Sequence, residues 1–213
     1  IGGGGAGVIY KGWFKKQPVA LKTLFDTRVS EELKKEYMDE LLVMSKMKHA
    51  NVVTFLGACM TPPNWCFVME LCETSLFNVL HVNQETFSDH DKVQMAVDIG
   101  SAFEYLHSFT PAIIHRDLKS LNVLRANDGV LKVCDFGLVK NRNITAGTPS
   151  YMAPELLQAK SYNKSVDSYA FGILFNEICN GQIPFNGVAI PDIRDRCLRG
   201  ERPHQTKSIM QPQ

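Results

Sequence analysis

The chain has 213 residues, with 23 Lys and Arg against 22 Asp and Glu and a formal net charge of +1, so it has no general attraction to nucleic acid or an anionic membrane. With 45% hydrophobic residues, it can bury a sizeable core as one domain or as two small lobes. Its six cysteines show neither C-x-x-C spacing nor a short secreted framework and read as reduced, buried thiols of a cytoplasmic protein; no membrane-length apolar run or signal peptide is visible.

The sequence opens inside a glycine run and reads as a piece of a longer chain, with targeting elements outside it. Gly2, Gly4 and Gly7 have G-x-G-x-x-G spacing. That spacing can also open a dinucleotide-binding helix, as in a nicotinamide-dependent oxidoreductase, and Asp26 lies at a suitable distance for that rival. Val8-Ile9-Tyr10-Lys11-Gly12-Trp13-Phe14 is rich in β-branched and aromatic residues and instead predicts a returning strand, hence a glycine hairpin. A P-loop is excluded because no G-K-[ST] closes the run.

Val19-Ala20-Leu21-Lys22 is the next predicted strand. Ser30 to Met47 reads as an amphipathic helix, with Leu33, Tyr37, Leu41 and Met44 at helical spacing. Two strands follow, Asn51 to Gly57 and Asn64 to Leu71, joined by a turn at Thr61-Pro62-Pro63-Asn64. Ser88-x-x-Asp91 resembles a capping box, opening a helix with Val93, Val97, Gly100, Phe103 and Leu106 on one face.

That helix leads through Pro111 into His115-Arg116-Asp117-Leu118-Lys119-Ser120-Leu121-Asn122. A carboxylate, an ammonium and a carboxamide stand close together here, bracketed by the apolar pairs Ile113-Ile114 and Val123-Leu124. A second carboxylate, Asp135, follows the run Leu131-Lys132-Val133-Cys134. The pattern suggests two buried strand-like pieces with a polar loop and an Asp at their ends. Phosphoryl transfer needs such a set: one carboxylate near the attacking hydroxyl and oxygen ligands for a metal on the phosphates.

H-R-D-L-x-x-x-N at 115–122, Asp135-Phe136-Gly137, Val19-Ala20-Leu21-Lys22 and Ala153-Pro154-Glu155 together resemble the eukaryotic protein kinase catalytic domain. The resemblance runs from Ile1 to about Pro203. It implies an α+β, bilobal fold: an N-lobe with a small antiparallel sheet and one key helix, hinge included, over residues 1–72, and a larger, mainly helical C-lobe over 73–213. Relatives carry several further helices, so the C-terminal ones are expected to be missing, along with the Arg that partners Glu155.

The same resemblance implies roles for individual residues. Asp117 would accept or orient the substrate hydroxyl proton, Lys119 would steady the γ-phosphate, and Asn122 and Asp135 would hold magnesium. Lys22 would reach the α- and β-phosphates and pair with an acid of the Ser30–Met47 helix. Glu36, Asp39 and Glu40 compete for that place; Glu40 is chosen because it lies beside the apolar face and because its spacing to His49-Ala50-Asn51 matches the family. Gly2, Gly4 and Gly7 would cover the phosphates. Ile9, Ala20 and Leu124 would sandwich the base, Met69 would guard the back of the pocket, and the Glu70-Leu71-Cys72 backbone would bond adenine. His115 reads as a packed structural histidine, stacked in the family with Phe136, Phe55 and Met44. Cys134 is a small buried hydrophobe whose thiol could meet an electrophile. Arg116 would pair with a phosphorylated loop residue, Thr145 and Ser150 being candidates, and Asp167 would brace the catalytic-loop backbone. The helix begun by Asp167 runs through Cys179, and a shorter one spans Ile193 to Gly200.

Lys119 after H-R-D-L and Gly147-Thr148 before A-P-E look serine/threonine-type. His115–Asn122, Phe55-Leu56-Gly57 and Met152-Ala153-Pro154-Glu155 resemble the tyrosine-kinase-like group that includes Raf and mixed-lineage kinases. The expected activity is transfer of the γ-phosphate of ATP, with Mg2+, to protein serine or threonine in a signalling cascade. Dual specificity and a catalytically weak scaffold are the alternatives. No nucleic-acid partner and no membrane span are expected.

Overall fold

The computed structural model describes residues 2–4, 7–23, 38, 41–61, 65–135 and 148–204. Two antiparallel sheets organise them. The first has the order β1-β2-β3-β5-β4, formed by β1 (Gly2–Gly4), β2 (Gly7–Phe14), β3 (Gln17–Thr23), β4 (Phe55–Cys59) and β5 (Cys66–Glu70). Gly4 pairs with Gly7 across the β1–β2 turn, so a strand, not a helix, follows the glycines. This removes the basis of the dinucleotide-fold rival. β2 and β3 are joined by Lys15 and Lys16, both at positive φ (48° and 67°), the backbone that a two-residue turn needs to match strand twist.

The expected strand from Asn51 begins instead at Phe55. Residues 51–53 run beside the second sheet, where Val52 bridges Val133 and Val53 N–H donates to the Val133 carbonyl at 3.0 Å. Those backbone groups are satisfied from the other side, so they do not join β5. Residues 38 and 41–46 of the expected Ser30–Met47 helix are helical, with Leu41 and Met44 buried. Glu36, Asp39 and Glu40 lie outside the described residues, as do Pro62 to Asn64.

The second sheet, β6-β7-β8, comprises β6 (Thr74–Ser75), β7 (Val123–Arg125) and β8 (Leu131–Val133). Below it lie α1 (Asp89–His107), α2 (Pro154–Leu157), α3 (Ser165–Asn180) and α4 (Ile190–Leu198). α1 starts at the expected capping box, with Ser88 and Asp91 satisfying each other's backbone N–H. Its buried stripe differs from the expected one: Ile99, Ala102, Phe103 and Leu106 are inside, while Val93 and Val97 are 56% and 52% exposed. At 3.6 residues per turn Val97 sits about 120° round the helix from Phe103, away from β8 and α3, on which α1 packs. α3 stops at Gly181, left-handed at φ 63°, whose N–H caps the Glu177 carbonyl, a position only glycine takes without cost. One apolar core runs through both halves, from Leu41 and Phe67 to Leu106, Val133 and Leu174.

Candidate active site

β7 and β8 carry the chemistry on their ends. Val123 faces Val133 in the ladder, and both are fully buried. One residue outward, Cys134 N–H donates to the Asn122 carbonyl at 3.0 Å. Asn122 and Asp135 are therefore fixed beside each other by the pairing of two short strands. Burying the strands is what the apolar runs on either side of the polar loop achieve.

Within the loop, the Asn122 side-chain amide donates to the Asp117 carbonyl at 2.7 Å and to its Oδ2 at 3.1 Å. Lys119 Nζ reaches both Asp117 carboxylate oxygens, at 3.2 and 3.1 Å, and Thr148 Oγ1 at 3.2 Å. His115 is wholly buried. Its Nε2 lies 3.0 Å from the Cys134 carbonyl, and its Nδ1 accepts Asp117 N–H at 3.2 Å. The neutral ring protonated on Nε2 satisfies both contacts at once. Burial pushes its pKa down, against the opposing pull of Asp167 and Asp117. It is a structural histidine, as expected, with Phe103 at 5.9 Å; Phe136 lies outside the described residues.

Arg116 and Asp135 both have left-handed backbones, at φ 67° and 58°. Non-glycine residues adopt this only where surrounding contacts hold them, and such strain gathers at functional sites. Asp167 supplies the hold at Arg116. It accepts the N–H groups of His115 and Arg116 at 2.9 Å each, and its Oδ2 also meets His107 Nε2 at 2.8 Å. The expected brace is in place.

An ion pair from β3 joins the first sheet to the residue that follows Cys134. Lys22 Nζ meets Asp135 Oδ1 at 2.5 Å, 113 residues away in sequence, and Lys22 itself is buried. Across the ladder Ile9 pairs with Lys22, Ala20 with Met69 and Lys22 with Phe67. Directly paired residues share a face, so Ile9, Ala20, Lys22 and Met69 line one side of the sheet. Met69 in turn packs with Val53, Cys134, Cys72 and Leu124. The expected base-binding residues of both halves thus converge. The glycines Gly2, Gly4 and Gly7 lie on the neighbouring hairpin.

Other side chains near the site have partners or surroundings of their own. The Glu70 side chain accepts Thr54 N–H at 2.7 Å and Lys132 Nζ at 2.9 Å. Burial pushes its carboxyl up, but those bonds outweigh it and the net shift is downward. Cys134 is buried and pushed well up by burial and by the Asp135 charge, which keeps the thiol protonated and disfavours attack on an electrophile. Cys72 is pushed up to about 11, chiefly by burial. Ser150 is buried, at 7% exposure; Thr145 lies outside the described residues. Arg116 Nη1 donates to Tyr162 Oη at 3.1 Å.

Sequence reasoning missed Glu177 altogether. Its side chain is fully buried and accepts Ser120 Oγ at 2.7 Å, Tyr151 Oη at 2.7 Å and His81 Nε2 at 2.8 Å. It ties the catalytic loop, the Pro149–Tyr151 turn and the Asn78–Val82 turn to α3. A lone Glu inside the apolar run of α3 was the available signal.

Residues 1–209 match the family described as "Protein kinase domain". The chain belongs to the protein kinase domain family. It is 37% identical to the serine/threonine-protein kinase STY46 of Arabidopsis thaliana over 87% of this chain and 33% of that protein. It is 34% identical to the serine/threonine-protein kinase CTR1 of the same plant over 95% and 26%. A probable serine/threonine-protein kinase of Dictyostelium discoideum is 36% identical over 88% and 21%. This kinase domain therefore spans a fifth to a third of the length of those curated relatives.

Proposed function

We propose that this kinase domain transfers the γ-phosphoryl group of ATP to serine or threonine hydroxyls of protein substrates, as part of a signalling cascade. The observation that carries the reading is the Lys22–Asp135 contact. It joins the first sheet to the end of the second, beside which Asn122 contacts Asp117 and Asp117 contacts Lys119. Asp117 takes or orients the acceptor proton, and its pKa need not be raised because a loose transition state releases that proton late. Lys119, within reach of both Asp117 and Thr148, steadies the incoming phosphoryl group and holds the carboxylate in line. Lys22 takes the α- and β-phosphates, with Glu40 as its helix partner. Ile9, Ala20, Met69 and Leu124, with the backbone of Glu70 and Cys72, hold the base, and Gly2, Gly4 and Gly7 close over the phosphates.

The metal assignment, Mg2+ on Asn122 and Asp135, is supported by the donor set. The Asn122 amide nitrogen is committed to Asp117, which turns its oxygen the other way, and Asp135 adds a carboxylate. Two oxygen donors from the protein suit a hard cation shared with substrate phosphates. When bound, the metal neutralises phosphate charge.

The names of the relatives support serine and threonine as acceptors, and the tyrosine-kinase-like resemblance accords with them. The division at residues 72 and 73 is supported by β6, which already pairs in the second sheet. All six cysteines are unpaired, in keeping with a cytoplasmic setting. No helix among the described residues is long and apolar enough to cross a membrane. A scaffold role is disfavoured because Lys22, Asp117, Asn122 and Asp135 are all present.

With Mg-ATP and a generic protein substrate, the domain should transfer phosphate. Asp117→Asn should lower turnover by about 10²- to 10⁴-fold while retaining nucleotide binding, and Asp135→Asn should lose metal-dependent binding as well. Equal activity in all three proteins defeats the proposal. Single-turnover assays on peptides carrying Ser, Thr or Tyr test dual specificity.

A further inference from the structure

Two of the cysteines face each other across a strand pair. In the β4–β5 ladder Cys59 is the direct partner of Cys66, and both are partly exposed. Directly opposed residues of an antiparallel pair share a face of the sheet, with Cα atoms about 4.5–5.5 Å apart. That separation lies inside the roughly 4.4–6.8 Å window of a disulfide. The Cβ atoms, about 4.5–5.5 Å apart in such a pair, have to draw in toward the roughly 3.5–4.5 Å that a disulfide takes. β4 can supply that small movement: it is the outermost strand of its sheet among the described residues, and its register already shifts between Phe55 and Gly57.

The pair stands apart from the candidate active site. Phe67, next to Cys66, is the ladder partner of Lys22, and successive strand residues point to opposite faces. Cys66 and Cys59 are therefore on the face of the sheet away from Lys22. A single thiol of middling exposure is usually a small packed hydrophobe; two in register make a dithiol. Cys72 and Cys134, which pack in one cluster with Met69, differ in their surroundings. Cys134 is buried, and burial pushes both of those thiols up, which keeps them in the unreactive protonated form. Burial raises the thiols of Cys179 and Cys197 as well.

We propose that Cys59 and Cys66 form a redox modification site, a dithiol that a low-molecular-weight disulfide such as oxidised glutathione converts to a cross-strand bond. The thiolate of one cysteine attacks a sulfur of the oxidant, which releases one glutathione thiolate and leaves a mixed disulfide on the protein. The thiolate of the other cysteine then attacks the protein sulfur of that mixed disulfide; the cross-strand S–S bond forms and the second glutathione leaves. Two protein thiols are oxidised, one glutathione disulfide is reduced to two thiols, and the protons lost by the cysteines go to them. The ladder register makes the second step intramolecular, so the mixed disulfide does not accumulate. The bond ties the outermost strand to β5, which leads through Met69 to Glu70, and a reductant undoes it. Transient bonds of this kind are the ones that a reducing compartment permits.

The test exposes the reduced, folded 213-residue chain to oxidised glutathione and caps the remaining thiols. The unreduced protein is then digested with chymotrypsin, whose cut after Trp65 parts the two cysteines, and the fragments are read by mass spectrometry. In the wild type both thiols should be lost together, with no glutathione retained on either and with the fragments carrying Cys59 and Cys66 joined to each other. Dithiothreitol should restore both. Cys59→Ser and Cys66→Ser should each abolish the internal bond and keep one glutathione on the cysteine that remains. Glutathione held at both positions of the wild type, either cysteine joined to a different one, or both left as free thiols overturns the inference. The wild-type fragments decide the matter even where a variant folds poorly. Because thiols and not phosphoryl transfer are read, the result stands apart from the kinase reading.

Discussion

At one end of α3, Asp167 accepts two backbone N–H groups, those of His115 and Arg116, together with the ring of His107. Glu177 lies ten residues further on, about 15 Å along the same helix at 1.5 Å per residue. It accepts only side chains, those of Ser120, Tyr151 and His81. Both carboxylates are buried and both hold the catalytic loop. The difference lies in what they hold. Backbone donors are present whatever the loop sequence, so Asp167 fixes the path of the chain, including the left-handed Arg116. That conformation costs roughly 1–2 kcal/mol, and two charge-assisted bonds of about 1.5–3 kcal/mol each outweigh it. Glu177 fixes a particular set of side chains, and so couples the loop to the Pro149–Tyr151 turn only in a chain that supplies those partners.

Substitution separates the two ends. Asp167→Ala strands two backbone donors that cannot move away, so it should cost about 1–3 kcal/mol for each and remove phosphoryl transfer, measured by urea unfolding and by turnover. Glu177→Ala strands only side chains, which can turn toward one another or toward water. About 1–3 kcal/mol is expected, with transfer reduced and not abolished. Equal costs at the two positions would show that the distinction between backbone and side-chain partners carries no weight.

The same distinction decides what could be read from the sequence. Asp167 was legible through the resemblance of its helix to that of the kinase family, and the loop it braces through the H-R-D-L-x-x-x-N match. The glycine hairpin and the capping box at Ser88 were legible because both are local. Glu177 was not, because nothing near it in the chain names its partners, which come from three distant turns. The start of β4 failed for a similar reason: residues 51–53 give their backbone bonds to β8, a non-local choice. Val93 and Val97 satisfy a helical period but lie off the stripe that meets β8 and α3.

His115 links the brace to the reaction and adds a pH dependence. Burial holds its pKa below the usual value, so the folded protein binds this proton less readily than the unfolded chain. Its contribution to stability is complete above the unfolded value of about 6.5. As pH falls below that, the unfolded chain takes up the proton first, and stability declines until the folded value is passed. Urea midpoints measured between pH 7.5 and 5 should fall toward acid, and His115→Phe, though less stable throughout, should show a shallower slope. An unchanged slope would assign the acid sensitivity to other groups and would weaken the picture of a neutral ring bridging Cys134 and Asp117.

The smallest effect is expected at Tyr151, and it tests the Glu177 end most finely. Tyr151→Phe keeps the ring in the core and removes only the hydroxyl that donates to Glu177 at 2.7 Å and lies 3.4 Å from Ser120 Oγ. Ser120 and His81 remain on the carboxylate, so no buried charge is stranded. The loss should be about 1.5 kcal/mol, one hydrogen bond to a charged group. Its kinetic trace should be selective. Tyr151 closes the turn that follows Thr148, which Lys119 touches, while Asp117 keeps its own bonds to Asn122 and Lys119. KM for the protein substrate should therefore rise with kcat nearly unchanged. A fall in kcat at constant KM would mean that the Glu177 network acts on the carboxylate that takes the proton, and the two ends of α3 would then serve one function instead of two.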